Sequence, residues 1–82
     1  MTPSEVGKRD AEFVKENSWI QIFVSSKIGT YEPGIIDICH SIGIKNPKID
    51  SWHELNKIKK NPAYQQAVIQ AKLAYESEFF IN

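Results

Sequence analysis

The sequence predicts an all-α protein, a small helix-turn-helix bundle of about four helices with a long C-terminal helix. Three observations carry this. The run from Pro62 to Phe80, PAYQQAVIQAKLAYESEFF, is filled with strong helix formers and opens on Asn61-Pro62, a capping side chain followed by a residue with preset φ. The run from Ile35 to Lys60, IIDICHSIGIKNPKIDSWHELNKIKK, reads as two short helices around a tight turn. Only one strand-like stretch exists, WIQIFV, and it has no second such run to pair with.

Residues 1–17 form a polar, poorly patterned segment with room for a short helix, capped from Ser4 with Glu5 and carrying Phe13 and Val14 on one side. The first few residues are expected to be mobile. The helix-turn-helix domain then occupies 18–82. Asn17 or Ser18 caps a helix from Trp19 to Ile28, with Ile20, Phe23, Val24 and Ile28 at helical spacing and Gly29 at its carboxyl-terminal stop. Thr30 to Gly34, TYEPG, is a connector in which Pro33 opens the next helix, capped from Thr30, Tyr31 or Glu32.

In that helix Ile35, Ile36, Ile38 and Ile42 place apolar groups on one side. Gly43 supplies a residue able to adopt positive φ where the helix stops, and Ile44 tucks back under the corner. Asn46-Pro47 predicts that the second helix begins at Pro47, and Asn61-Pro62 ends it near Lys59. Cys39 stands four residues before Gly43, Ile49 six after it, and Trp52 three further on. This small, Gly, apolar, apolar order is a helix-turn-helix spacing. Ile49, Trp52, Leu55 and Ile58 are assigned to the inner stripe, with Trp52 fixing the second helix to the core. In the last helix Tyr64, Ala67, Val68, Ala71, Tyr75 and Phe79 make one stripe. Ile69, Leu73 and Phe80 fall off it, which predicts a second apolar side used for pairing between chains or for meeting the N-terminal segment.

A chain of 82 residues makes at most one domain and buries only about 60 to 65% of its unfolded surface. Its core is small or shared with a partner. Apolar content of 41% and charged content of 24% fit an ordinary globular protein. No apolar run approaches membrane-spanning length, and the acidic start lacks the h-region of a secretory signal, so the expected compartment is the cytoplasm. Cys39 has no second cysteine to pair with and reads as a small buried apolar residue. With two histidines on different predicted helices, neither a metal nor any cofactor is expected.

Ten basic and ten acidic side chains cancel, but unevenly. From Met1 to Ile44 four basic residues face six acidic ones. From Lys45 to Lys60 five lysines (Lys45, Lys48, Lys57, Lys59, Lys60) face only Asp50 and Glu54, and the remainder has Lys72 against Glu76 and Glu78. Positive charge therefore collects on the turn and second helix, where a DNA-reading element needs it. A solvated helix face is also rich in lysine, and Lys57, Lys59 and Lys60 suit a helix carboxyl end. The residues expected to meet double-stranded DNA are Lys45, Asn46, Lys48 and Ser51, with Lys57, Lys59 and Lys60 on the phosphate backbone.

The order Gly43-Ile44, Ile49, Trp52, Asn61-Pro62-Ala63-Tyr64, Ala67 and Ala71 resembles the N-terminal domain of tailed-phage small terminase subunits, across roughly Trp19 to Phe79. The resemblance implies a DNA-packaging adaptor without catalytic chemistry, assembled as a ring-forming homo-oligomer in the bacterial host cytoplasm. Such a protein recognises viral DNA and hands it to a large terminase subunit. On this likeness Gly43 is the turn glycine, Trp52 the helix anchor and Tyr64 the aromatic that pins the long helix. Two features depart from the family pattern. Asp50 places a carboxylate where DNA would approach, and the segments that follow this domain in the family are not part of the sequence.

Catalysis needs convergent groups. Asp37 with His40, and Asp50 with His53, share the three-residue spacing of a helix-face pair, but no nucleophile or phosphate-binding loop accompanies either, so no enzyme is expected. Two alternatives keep the fold: a small transcriptional regulator paired through its last helix, and a protein-interaction module that touches no DNA.

Overall fold

The computed structural model describes residues 1–17 and 31–80. Among the described residues there are four helices and no strand: α1 (Pro3–Glu16), α2 (Ile35–Ser41), α3 (Trp52–Lys60) and α4 (Pro62–Phe80). The predicted helix from Trp19 to Ile28 lies outside the described residues. The all-α bundle with its long last helix is therefore present, with several boundaries and faces different from those expected.

The N-terminal segment is a full fourteen-residue helix rather than a short one. Its cap is Thr2, not Ser4. The Thr2 hydroxyl accepts from the Glu5 amide at 3.2 Å and the Glu5 carboxylate accepts from the Thr2 amide at 3.1 Å, with Pro3 preset behind the cap. Val6, Gly7, Ala11 and Val14 are buried. Phe13, one residue and about 100° round the helix from Val14, is exposed instead of sharing its side. The buried residues of α1 are small, and that lets its backbone lie close along α4.

Two buried clusters follow. Val6, Ile38, Cys39, Tyr64, Ala67 and Ala71 join α1, α2 and α4, with Ile35, Ile42, Ile44, Ile58 and Val68 packed around them. Ala11, Val14 and Tyr75 form the second, covered by Tyr31 and Phe79. The long helix thus presents its expected stripe to the core. Polar links close the assembly. The Tyr31 ring stacks on Tyr75 with centroids 3.7 Å apart, and its hydroxyl donates to Asp10 at 2.6 Å. Arg9 pairs with Asp37 at 2.8 Å between α1 and α2, and Lys72 with Glu32 at 2.6 Å.

Neither Tyr31 nor Glu32 caps α2; both are engaged with α1 or α4. Gly34 is the N-cap, with no side-chain hydrogen bond, and Pro33 precedes it. Ile38 faces the core with Ile35 and Ile42 partly packed, whereas Ile36 points outward. At the other end Gly43 has φ of 90°. Its amide donates to the His40 carbonyl at 3.2 Å and the Ile44 amide to the Cys39 carbonyl at 2.9 Å, a Schellman stop. Ile44 folds back onto the core as its apolar closing residue.

Past Gly43 the structure departs from the expected tight corner. No helix starts at Pro47. Ten residues, Ile42 to Ser51, separate α2 from α3, and the second helix begins at Trp52. Ser51 has extended dihedrals and its hydroxyl accepts from the Glu54 amide at 3.2 Å. The local reason is the sequence Ser-x-x-Glu at 51–54, a start signal that satisfies a free helical N–H and carries acid into the first turn. Asn61 ends α3 and caps α4 through its side-chain oxygen, which accepts from the Ala63 amide at 2.9 Å.

Candidate nucleic-acid interface

The basic residues nominated from the sequence fall into two groups. Lys45 and Lys48, with Asn46, sit exposed on the connector between α2 and α3, not on a recognition helix. Lys57, Lys59 and Lys60 occupy the last turn of α3 and are exposed. Opposed to them, Ile58 packs on the core cluster, with Leu55 half-buried beside it, while no residue of α3 is fully buried. The Lys59 carbonyl accepts from the Gln65 side chain at 3.1 Å, tying the end of α3 to α4.

Ion pairing elsewhere sharpens the contrast. Arg9 is held by Asp37 and Asp10, Lys15 lies 3.7 Å from Glu78, and Lys72 is paired with Glu32. None of the five lysines between Lys45 and Lys60 takes part in a salt bridge among the described residues. Their charge is therefore not neutralised by an ion pair among the described residues. Five cations against Asp50 and Glu54 leave this edge net positive on a chain that is neutral overall.

Ser51 is exposed, and its hydroxyl is committed to capping α3, which makes it a structural residue first. Cys39, Gly43 and Tyr64 hold the positions expected of a packing residue, a turn residue and a buried aromatic. Burial pushes the Cys39 thiol up, as for an inert core cysteine. Ile49 and Trp52 do not hold theirs. Ile49 precedes the helix and is 40% exposed, and Trp52 is 78% exposed at its first position. Because α3 starts at Trp52 instead of Pro47, the predicted stripe of Ile49, Trp52, Leu55 and Ile58 is broken, and only its last two members turn inward. Neither residue anchors the helix.

The two acid–histidine spacings do not form acid–base pairs. Asp37 is bound to Arg9, His40 makes its contact through Nε2 with the Lys45 carbonyl at 3.1 Å, and Asp50 lies outside the helix that carries His53. Among the described residues no three His, Cys, Asp or Glu side chains converge on a point that a metal ion would occupy. An open hollow of about 810 Å³ lies between residues 32–35, the end of α3 and α4, and among the described residues Glu32 and Lys59 are the charged members of its lining. Glu32 is already paired with Lys72.

No family model, curated protein or solved structure matches the chain. Among the described residues no helix is long and apolar enough to cross a membrane. The functional assignment therefore rests on the exposed lysine edge and on the residues around it.

Proposed function

We propose that this chain is a non-catalytic DNA-binding adaptor that meets the phosphate backbone of double-stranded DNA with the connector and the outer side of α3. The observation that carries this reading is that Lys45, Lys48, Lys57, Lys59 and Lys60 are all exposed and outside any salt bridge among the described residues. Each cation that displaces a condensed counterion contributes a salt-dependent increment, and five make a weak binder as a single copy. Several copies joined through the long last helix multiply the contacts, and the exposed Ile69 and Leu73 on α4 support such pairing.

In its specific form the reading is the one the small-terminase resemblance implies: a homo-oligomer in the cytoplasm of an infected bacterium that engages viral DNA for genome packaging and passes it to a large terminase subunit. The long connector alters how DNA is met. Lys45, Asn46 and Lys48 approach from a loop, which favours phosphate contacts over base readout by a recognition helix. A protein-interaction module is the second reading, favoured by the exposed apolar side chains of Trp52, Ile69 and Leu73.

The test is equilibrium binding to duplex DNA across a salt series. Lys48→Ala is expected to weaken binding and to shallow the dependence of log K on log salt by about one unit. Binding indifferent to both Lys45→Ala and Lys48→Ala would reduce the lysines to solvated surface. Native mass spectrometry separates the roles: a ring of many copies supports packaging, and a dimer supports a transcriptional regulator.

A further inference from the structure

Trp52 is the largest apolar side chain that the described residues leave in water, 78% exposed at the first position of α3. An aromatic of this size loses most of what burial would contribute when it is held in solvent. It borders a shallow depression of about 180 Å³ with Ile49, Asp50, Ser51 and Leu55. Along the chain lysines lie on both sides of it, beyond the nearer Asp50 and Glu54. Lys48 precedes it on the connector, and Asn56 and Lys59 follow at four and seven residues, the spacing that places those two on the Trp52 side of the helix. Glu54, two residues on, is turned roughly 160° from that side, given about 100° per residue. Asp50 borders the depression itself, and its carboxylate disfavours a phosphate at that spot.

An exposed indole on the lysine-bearing edge suits a partner that is at once flat, apolar and anionic. Base pairs in an intact duplex offer their edges, with their faces already stacked on each other. An unpaired nucleotide offers a free π-face beside a phosphate. We infer that the Trp52 side of α3 binds an unpaired nucleotide, in a single strand or an opened stretch of duplex, with the base stacked on Trp52 and flanking phosphates held by Lys48 and Lys59. This deepens the phosphate-binding reading and rests on it.

The experiment compares oligothymidylate with duplex DNA of equal length, using the full chain, Trp52→Ala, Trp52→Phe and a Lys48→Ala/Lys59→Ala variant. Trp52→Ala is expected to lower affinity for oligothymidylate about tenfold while leaving its salt dependence unchanged, and to move duplex affinity by less than about twofold. Trp52→Phe keeps most of the single-strand affinity. The tryptophan emission that distinguishes the wild type from Trp52→Phe is quenched by saturating oligothymidylate. Equal loss on the two substrates overturns the stacking role, as does a vesicle of anionic lipid that binds through Trp52 while oligothymidylate does not. A silent Trp52→Ala beside a shallower salt dependence in the lysine variant overturns stacking and leaves the phosphate reading standing. Failure of the wild type to bind either nucleic acid overturns both.

Discussion

Gly7 of α1 rests on the backbone of Ala71 in α4, so closely that a Cβ at Gly7 would collide with the Ala71 carbonyl. Ala11 continues the same buried side of α1, and Ala67 lies one turn before Ala71 on α4. In an isolated helix Gly7→Ala gains about 0.5 to 1 kcal/mol, because alanine loses less backbone freedom. Here the methyl group has nowhere to go, and overpacking costs about 1 to 3 kcal/mol. The expected outcome is a lower urea midpoint, with a net loss of about 1 to 2 kcal/mol and an unchanged m-value. A gain in stability would show that α1 does not dock on α4 in solution.

Gly43 separates conformational strain from steric clash. Its φ of 90° suits glycine, and a Cβ there would meet nothing within 4 Å. Gly43→Ala is therefore expected to cost about 1 to 2 kcal/mol through backbone conformation alone, with Gly43→Asn recovering part of it. Thermal unfolding of the two variants measures the difference. Equal stability of all three chains would mean that the Schellman stop after α2 is not held.

The three tyrosines predict alkaline sensitivity. Burial raises the Tyr31 hydroxyl far above its ordinary range, helped by its hydrogen bond to Asp10 and that residue's negative charge. Burial likewise raises Tyr64, assisted by Cys39 and Glu32, and Tyr75, assisted by Asp10. The folded state thus holds these protons more tightly than the unfolded chain, whose tyrosines titrate near pH 10. Their stabilising contribution is complete below about pH 10 and is lost as pH rises toward the folded values. Tyrosinate absorbance is expected to appear together with loss of helical circular dichroism above about pH 10, and Tyr31→Phe to soften that dependence. Ionisation of all three near pH 10 with the helices intact would contradict the packing around Tyr31 and Tyr75.

Elements with strong local signals were legible in the sequence. Asn61-Pro62 marked the start of α4, and the spacing of Tyr64, Ala67, Ala71 and Tyr75 marked its inner side. Gly43 and Ile44 marked the end of α2. Between α2 and α3 the sequence holds two start signals, of which the expectation of a helix from Pro47 rests on the first. Asn46-Pro47 offers a cap and a preset φ, but Ser51 with Glu54 offers a cap and an acidic first turn, and the helix begins there. That five-residue displacement of the start moved Trp52 from the assumed inner stripe to the surface. Helix α1 is less legible for a different reason. Its buried residues, Val6, Gly7, Ala11 and Val14, are small enough that the segment looks polar by composition, and its apolar contribution lies in closeness of approach rather than side-chain size.

The displacement of Trp52 has a direct energetic consequence. A tryptophan that anchored α3 to the core would cost about 3 to 5 kcal/mol on truncation to alanine. At 78% exposure, and with Ile58 holding the helix to the core cluster, Trp52→Ala is expected to change stability by no more than about 0.5 kcal/mol. Ile58→Ala, which removes an apolar contact between α3 and the core cluster, is expected to lower the urea midpoint by clearly more than Trp52→Ala. Paired denaturation curves decide it. If Trp52→Ala proves the more damaging of the two, Trp52 is buried in solution and is no longer free to meet a ligand. If it proves silent, the same variant is a well-folded reagent, and any loss of nucleic-acid affinity it shows belongs to the missing indole and not to an unfolded helix.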